Sequence, residues 1–316
     1  MDVLIDYLGA WGLGDLLCSD PMVLGLLETH GPATRIWLRG KAGNLAYHPM
    51  VRGMASPGQR FDRVVEVRLF THMDRAEYGR LEALPSLIDH MCSYAGVRPS
   101  DRRPRLHLHA DDLAARSLLL PRTGPRIAIC ADHLDPLRHW PVERWRTVAR
   151  VLHEAGADVV GIGVGDTLGC GLDLVGKLSM RQTAAVLGAC DLFVGNNSGP
   201  FHYAQAAGTP CVTLFSLATP SRFVHPGATV HVVQADGLPC LHCMTRCFAA
   251  MQRSGCIASP RGRCMTEIGA EQVLDAIDHA LRSLPAPGVA RTSTVGLDPP
   301  PATVSRAAGC SAPTAP

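Results

Sequence analysis

The sequence predicts an α/β protein made of two doubly wound, Rossmann-like units facing each other across a cleft. Short apolar strand candidates alternate with helical patterns over residues 1–283. Each strand candidate is a near-continuous apolar run, as parallel strands covered on both faces require. The alternation is interrupted by a breaker-rich PRTGP at 121–125, the best linker in the chain. A length of 316 residues suits two units of moderate size, 1–121 and 126–284.

The first unit opens with a strand at Val3–Leu8 and a turn carrying Gly9, Gly12 and Gly14. A helix from Asp15 to His30 follows, then strands at Arg35–Arg39 and Arg63–Phe70 and a helix near Leu81–Ala95. Arg105–His109 alternates like an edge strand and leads into a short helix ending at Leu119. The second unit reads as strand Arg126–Ala131, helix Val142–Ala155, strand Asp158–Gly163 and helix Met180–Ala189. The last helix carries a capping box of Ser179 with Gln182. An amphipathic helix, AEQVLDAIDHALRSL, starts at Ala270. The Pro/Ala/Ser/Thr-rich tail 285–316 cannot bury much and is expected to be disordered.

The most informative stretch is DLFVGNNSGPFHYAQAAGTPCVTLF, Asp191–Phe215. A buried strand stops at two asparagines. Ser198 suits an N-cap, and Gly199 and Pro200 suit a first helical turn, where a missing N–H costs nothing. Gly208 suits the left-handed position that ends the helix. Unpaired backbone N–H groups, a hydroxyl and His202 thus gather at the carboxyl end of a strand, where the helix dipole favours an anion. An ordinary loop with a capping serine is the plainer account. In the first unit, Asp15 follows the glycines of G-x-x-G-x-G, which is not the dinucleotide spacing G-x-G-x-x-G. Position 35, where that fingerprint would place an acid, is Arg35. Asp15 is either a carboxylate complementing the helix dipole or an exposed group held against a site.

Hydrophobic residues make up 47% of the chain, enough for real cores, and a net charge of +2 with scattered arginines gives nucleic acid nothing to bind. No window offers the ~18 uninterrupted apolar residues of a spanning helix. A strand begins at residue 2 without a basic leader, so the expected compartment is the cytoplasm. Of twelve cysteines, those at 18, 92, 130, 170, 190, 211 and 310 are expected to be small buried thiols. Cys240, Cys243, Cys247, Cys256 and Cys264 fall together in an insertion, 238–265. It opens with C-x-x-C, a metal-ligand spacing, and four thiolates satisfy tetrahedral zinc or iron. Reduced cysteines in a loop are the alternative.

GLGD (Gly12–Asp15), RHWP (Arg138–Pro141), GKLS (Gly176–Ser179), GNNSGPFHYAQAAGTP (Gly195–Pro210) and CMTEI (Cys264–Ile268) occur in an order that resembles the ADP-heptose:lipopolysaccharide heptosyltransferases. These are inverting glycosyltransferases of family nine with the GT-B fold. The resemblance implies transfer of a heptose from ADP-heptose to a hydroxyl of a glycan, a protein or a small molecule, with at most peripheral membrane contact. It implies Asp15 as the base and Gly12 and Gly14 as its supporting loop. Arg138, Asn197, Ser198, Gly199, Pro200 and His202 fall at the donor, with arginine suited to a diphosphate by its two-pronged fork. The family usually carries aspartate where this chain has Asn197. ADHLDPL (Ala131–Leu137) replaces its small hydroxyl residues, and Asp166 is a candidate for the donor ribose. Relatives carry a similar cysteine group, so four of the five cysteines are expected to hold a structural metal, with Cys256 or Cys247 spare. No D-x-D pair occurs, so no catalytic metal is expected. Two other readings fit the same fold: a nucleotide-sugar epimerase, and a scaffold whose working part is the cysteine segment.

Overall fold

Two parallel sheets carry the chain. The computed structural model describes residues 1–9, 12–68, 84–131, 136–243, 256, 262–284 and 295–297. The first sheet has the order β3-β2-β1-β4, from β1 (Asp2–Leu8), β2 (Arg35–Arg39), β3 (Val51–Met54) and β4 (Arg63–Arg68). The second has the order β11-β10-β9-β6-β7-β8. Its strands are β6 (Arg126–Cys130), β7 (Asp158–Ile162), β8 (Leu172–Asp173), β9 (Leu192–Asn196), β10 (Cys211–Leu214) and β11 (Val230–Val233). Every pairing in both is parallel.

In each sheet the chain starts at an inner strand, winds to one side and returns on the other. The reversal falls between β1 and β4 in the first sheet and between β6 and β9 in the second. Beyond the carboxyl ends of strands at such a reversal the flanking loops part, which leaves a crevice for a ligand. β6, β9 and β10 are buried along their whole length. That agrees with their unbroken apolar sequence and with helices on both faces.

The helices are α1 (Leu13–Cys18), α2 (Asp20–His30), α3 (Leu87–Tyr94), α4 (Ala110–Leu113), α5 (Val142–Glu154), α6 (Met180–Leu187), α7 (Gly199–Ala206), α8 (Arg263–Thr266) and α9 (Ala270–Arg282). The single helix expected over Asp15–His30 is broken at Ser19. Pro21, near the start of α2, has no N–H to donate to Leu17, and the Ser19 hydroxyl takes the Leu16 carbonyl at 2.6 Å instead. The helix expected from Leu81 begins at Leu87, because the Ser86 hydroxyl accepts the Asp89 N–H at 3.1 Å and fixes the cap there. Residues 81–83 and Phe70 lie outside the described residues. The Ser179–Gln182 capping box is present in both directions.

The stretch expected as an edge strand at Arg105–His109 forms β5 (Leu106–Leu108), which joins neither large sheet. It pairs in parallel with β12 (Val295–Leu297), so at those three residues the tail is ordered, contrary to expectation. No strand of a large sheet satisfies the N–H and C=O groups of β5; Asn44 Oδ1 accepts the His107 N–H at 3.3 Å, and β12 pairs with the strand. The rest of 285–316 lies outside the described residues.

One apolar cluster fills the first unit around Val3, Ile5, Leu16, Met22 and Ile36. A second lies on one face of the larger sheet, where Trp140 and Trp145 meet edge to face, 4.7 Å between ring centres. The third cluster draws on both units: Leu17, Leu106 and Leu108 pack with Ala128, Val160, Phe201 and Phe215. Arg181 of α6 adds a polar tie. It pairs with Asp112 and lies 3.5 Å over the Tyr47 ring.

Candidate functional site

The loops after β1, β6 and β9 bring the proposed residues together. Gly12 is the N-cap of α1 and Asp15 its third residue. The Gly12 N–H bonds the Asp15 carboxylate, which is one half of a capping box. The plainer role of Asp15 is therefore realised, yet a second effect is larger. Burial pushes the Asp15 carboxyl up to about 6, against the opposing pull of the Arg138 charge and the Gly12 N–H. Packing of α7 over the start of α1 supplies that burial.

Gly14 permits that packing. A Cβ here would stand 2.6 Å from His202 Cδ2 and 3.3 Å from the Gly199 Cα. The second glycine of GLGD is thus a place where two helix starts from different units touch.

Arg138 ends a short turn of helix, Pro136–Arg138, beyond β6. Its Nη1 donates to the Asn197 carbonyl at 3.2 Å, so the arginine is held at the end of β9. Its charge reaches both Asp15 and His202. The RHWP segment is anchored at its far end. Trp140 Nε1 donates to Ile268 O at 2.9 Å, and Arg144 Nη1 reaches Thr266 O and Ile268 O at 2.6 Å each. RHWP and CMTEI are therefore two sides of one joint.

Ser198 occupies the N-cap of α7 with extended backbone, as expected, but its hydroxyl caps nothing. The Oγ is buried and has no hydrogen-bond partner among the described residues. The same holds for both polar side-chain atoms of Asn196, a residue to which sequence reasoning gave no role. Buried polar atoms without partners are costly and mark a place made for a ligand or water. Pro200 stands in the first turn of α7, and Gly208 takes the left-handed conformation (φ 75°) just past it.

His202 is 4% exposed, and burial first, then the Arg138 charge, lowers its pKa to about 3. It is a neutral imidazole at any working pH. Its Nδ1 lies 2.9 Å from His225 Nε2, and both nitrogens are 3.5 Å from Cys18 Sγ. His225 was not foreseen; 23 residues separate it from His202. Asp166 is exposed in the loop after β7.

Of the five cysteines in the insertion, Cys247 lies outside the described residues. The other four share one neighbourhood, though their sulfurs do not gather into a group within 4.8 Å of one another. Burial raises the Cys264 thiol to about 11, with further upward pushes from Cys243, Cys256 and Cys240. The Gly262 N–H points to Cys256 Sγ at 3.5 Å. Between the first two cysteines, His242 takes a left-handed backbone (φ 61°). Such a conformation in a non-glycine residue costs about 1–3 kcal/mol and persists where the surroundings impose it. His242 also donates its backbone N–H to Ser216 O at 2.9 Å and walls a cavity of about 530 Å³ with Thr219, Gln234 and Asp236. A thiol whose ionisation three neighbouring cysteines oppose is suited to a soft cation, which would relieve that repulsion.

No helix among the described residues is long and apolar enough to cross a membrane. The profile of glycosyltransferase family 9 (heptosyltransferase) matches residues 82–250. The lipopolysaccharide core heptosyltransferase OpsX of Haemophilus influenzae is 25% identical over 144 residues, which is 41% of this chain and 41% of that protein. A glycosyltransferase family 9 protein from Veillonella parvula superposes with a TM-score of 0.67 at 16% identity, over 90% of this chain and 97% of the other. The E. coli ADP-heptose lipopolysaccharide heptosyltransferase II gives 0.65 at 18% identity, over 89% and 99%. The iron-containing dodecameric glycosyltransferase TibC of E. coli gives 0.66 at 19%, over 89% and 78%. These structures share the fold of two parallel sheets. With the profile spanning more than half of its residues, the chain belongs to glycosyltransferase family 9, the heptosyltransferase family.

Proposed function

We propose that the protein is an inverting glycosyltransferase of the cytoplasm. It moves a sugar, a heptose, from a nucleoside diphosphate donor, ADP-heptose, to a hydroxyl of a glycan, protein or small-molecule acceptor. Residues 1–121 form the acceptor side and 126–284 the donor side. The observation that carries this reading is the meeting of a carboxylate from one unit with an anion-binding turn from the other.

The acceptor hydroxyl attacks the anomeric carbon opposite the leaving diphosphate, and Asp15 takes its proton. A base with a pKa near 6 is ionised at neutral pH yet basic enough to pull on a hydroxyl, a better compromise than an ordinary aspartate. The charge growing on the diphosphate meets the Arg138 guanidinium, the Ser198 hydroxyl and the N–H groups that open α7. His202 adds an N–H rather than a charge. When its Nδ1 accepts from His225, its Nε2 carries the proton and can donate to an oxyanion. These groups supply positive potential without a metal in the transfer itself. The four cysteines would hold zinc or iron as a structural staple for the loop 238–265, away from the proton transfer.

A melting-temperature titration with ADP, UDP, GDP, CMP and NAD tests the donor, because a ligand that binds only the folded chain raises its stability. A selective rise with ADP is expected. A rise with UDP or GDP instead would change the donor, and no response to any nucleotide would favour a non-catalytic scaffold. Asn197→Asp is expected to shift kcat/KM towards ADP-heptose over other ADP-sugars by about tenfold, roughly one hydrogen bond to a hydroxyl. An unchanged donor profile would make position 197 neutral. Metal analysis is expected to show that the double variant Cys240→Ser/Cys243→Ser holds about one equivalent of zinc or iron per chain less than the unaltered protein. Metal content unaffected by that change would leave these thiols as packing.

A further inference from the structure

We propose that Cys18, His202 and His225 form a second metal site, for a zinc-class divalent cation, that clasps the two units together. Cys18 lies on α1 of the first unit. His202 lies on α7, and His225 in the turn before β11 of the second. All three are buried, and their Sγ, Nδ1 and Nε2 atoms lie within 4.8 Å of one another.

The spacing carries the argument. With Zn–N near 2.0 Å and Zn–S near 2.3 Å, tetrahedral angles place a sulfur and a nitrogen about 3.5 Å apart and two nitrogens about 3.3 Å apart. The structure has 3.5 Å for each sulfur–nitrogen edge and 2.9 Å for the nitrogen–nitrogen edge. Opening that last edge by a few tenths of an ångström gives the tetrahedral spacing. One thiolate with two neutral imidazoles is a donor set suited to zinc, and three protein donors leave the fourth position to water.

The frame is fixed independently of any metal. Gln205 Oε1 accepts the His225 backbone N–H at 2.7 Å, and Gln205 Nε2 donates to Phe223 O at 3.2 Å. Those bonds pin the histidine's turn to α7. The Gly14 contact holds the other edge of the His202 ring. A cation on Nδ1 would also fix the proton of His202 on Nε2. The ion is a positioning device and carries no step of the transfer. It replaces the thiol proton of Cys18, which is released to solvent on binding.

The full-length chain, loaded with zinc and dialysed, tests this by metal analysis alone, whatever its activity. Cys18→Ala is expected to remove about one equivalent relative to the unaltered chain, and His225→Gln the same. The Cys240→Ser/Cys243→Ser chain is expected to keep that equivalent. Far-UV circular dichroism identical to the parent certifies that each variant is folded. Cobalt substitution gives a second reading: the cobalt-loaded Cys240→Ser/Cys243→Ser chain, the tetrad variant, should show a thiolate charge-transfer band that Cys18→Ala abolishes. Zinc content unchanged by both Cys18→Ala and His225→Gln, or a tetrad variant with no zinc and no cobalt band, would reduce the cluster to a hydrogen-bonded triad. Because the readout is metal, its failure says nothing about sugar transfer, and loss of transferase activity says nothing about it.

Discussion

Asp15→Asn is expected to lower kcat by about 10³-fold, the scale of a lost general base, while raising the melting temperature above pH 7. The second half follows from the first residue's surroundings. Burial holds the Asp15 carboxyl at about 6 against an ordinary 3.8. The folded chain therefore takes up this proton more readily than the unfolded one. Stability from this group is fully present below pH 4 and falls as pH rises through 6. At neutral pH the ionised carboxylate costs about 1–2 kcal/mol after allowance for its partial exposure. Asparagine keeps an oxygen for the Gly12 N–H and removes the charge. Melting curves of both proteins at pH 4 and pH 8 check this: they should differ only at pH 8. A lower melting temperature at pH 8 would mean that the carboxylate is chiefly a cap. The kcat/KM of the parent should fall on the acid side with an apparent pKa near 6, measured on chelator-treated protein so that no cation beside Cys18 adds its charge.

Arg138→Ala is expected to weaken ADP binding by 10- to 100-fold, about 1.4–2.8 kcal/mol, and to slow transfer. It should also move the acid limb of the rate profile upward, since the Arg138 charge now pulls the Asp15 carboxyl down. Arg138→Lys should restore the position of that limb but only part of the affinity, because an ammonium lacks the two-pronged fork. Calorimetry with ADP and a pH–rate profile decide the matter. An unchanged donor KM together with an unmoved limb would take Arg138 out of the site.

These two residues also show what was legible in the sequence. The turn at 195–208 was readable because its signals are local: Pro200 fixes its own φ in the first helical turn and Gly208 tolerates the left-handed position after it. The longer strands followed from their apolar runs, whereas β3 (VRGM), β8 (LD) and β11 (VHVV) are short and β3 and β11 carry a polar residue within the run. The break at Ser19 turned on a single proline inside a convincing helical pattern. The acidity of Asp15 was out of reach, because it depends on α7 closing over it from nearly two hundred residues away. The same is true of Cys18 and His225, which local pattern reads as a core thiol and a loop histidine. β5 looked like any edge strand, since alternation says nothing about which sheet a strand will join.

The apolar cluster shared by Leu17, Leu106, Leu108 and the second sheet has a consequence for motion. Drawing the two large sheets apart would bring those leucines into water along with Phe201. Relative motion of the sheets is thereby favoured only where it leaves this cluster closed. The halves also bear on each other's unfolding: losing the order of either sheet exposes part of this shared cluster, while each side keeps a core of its own.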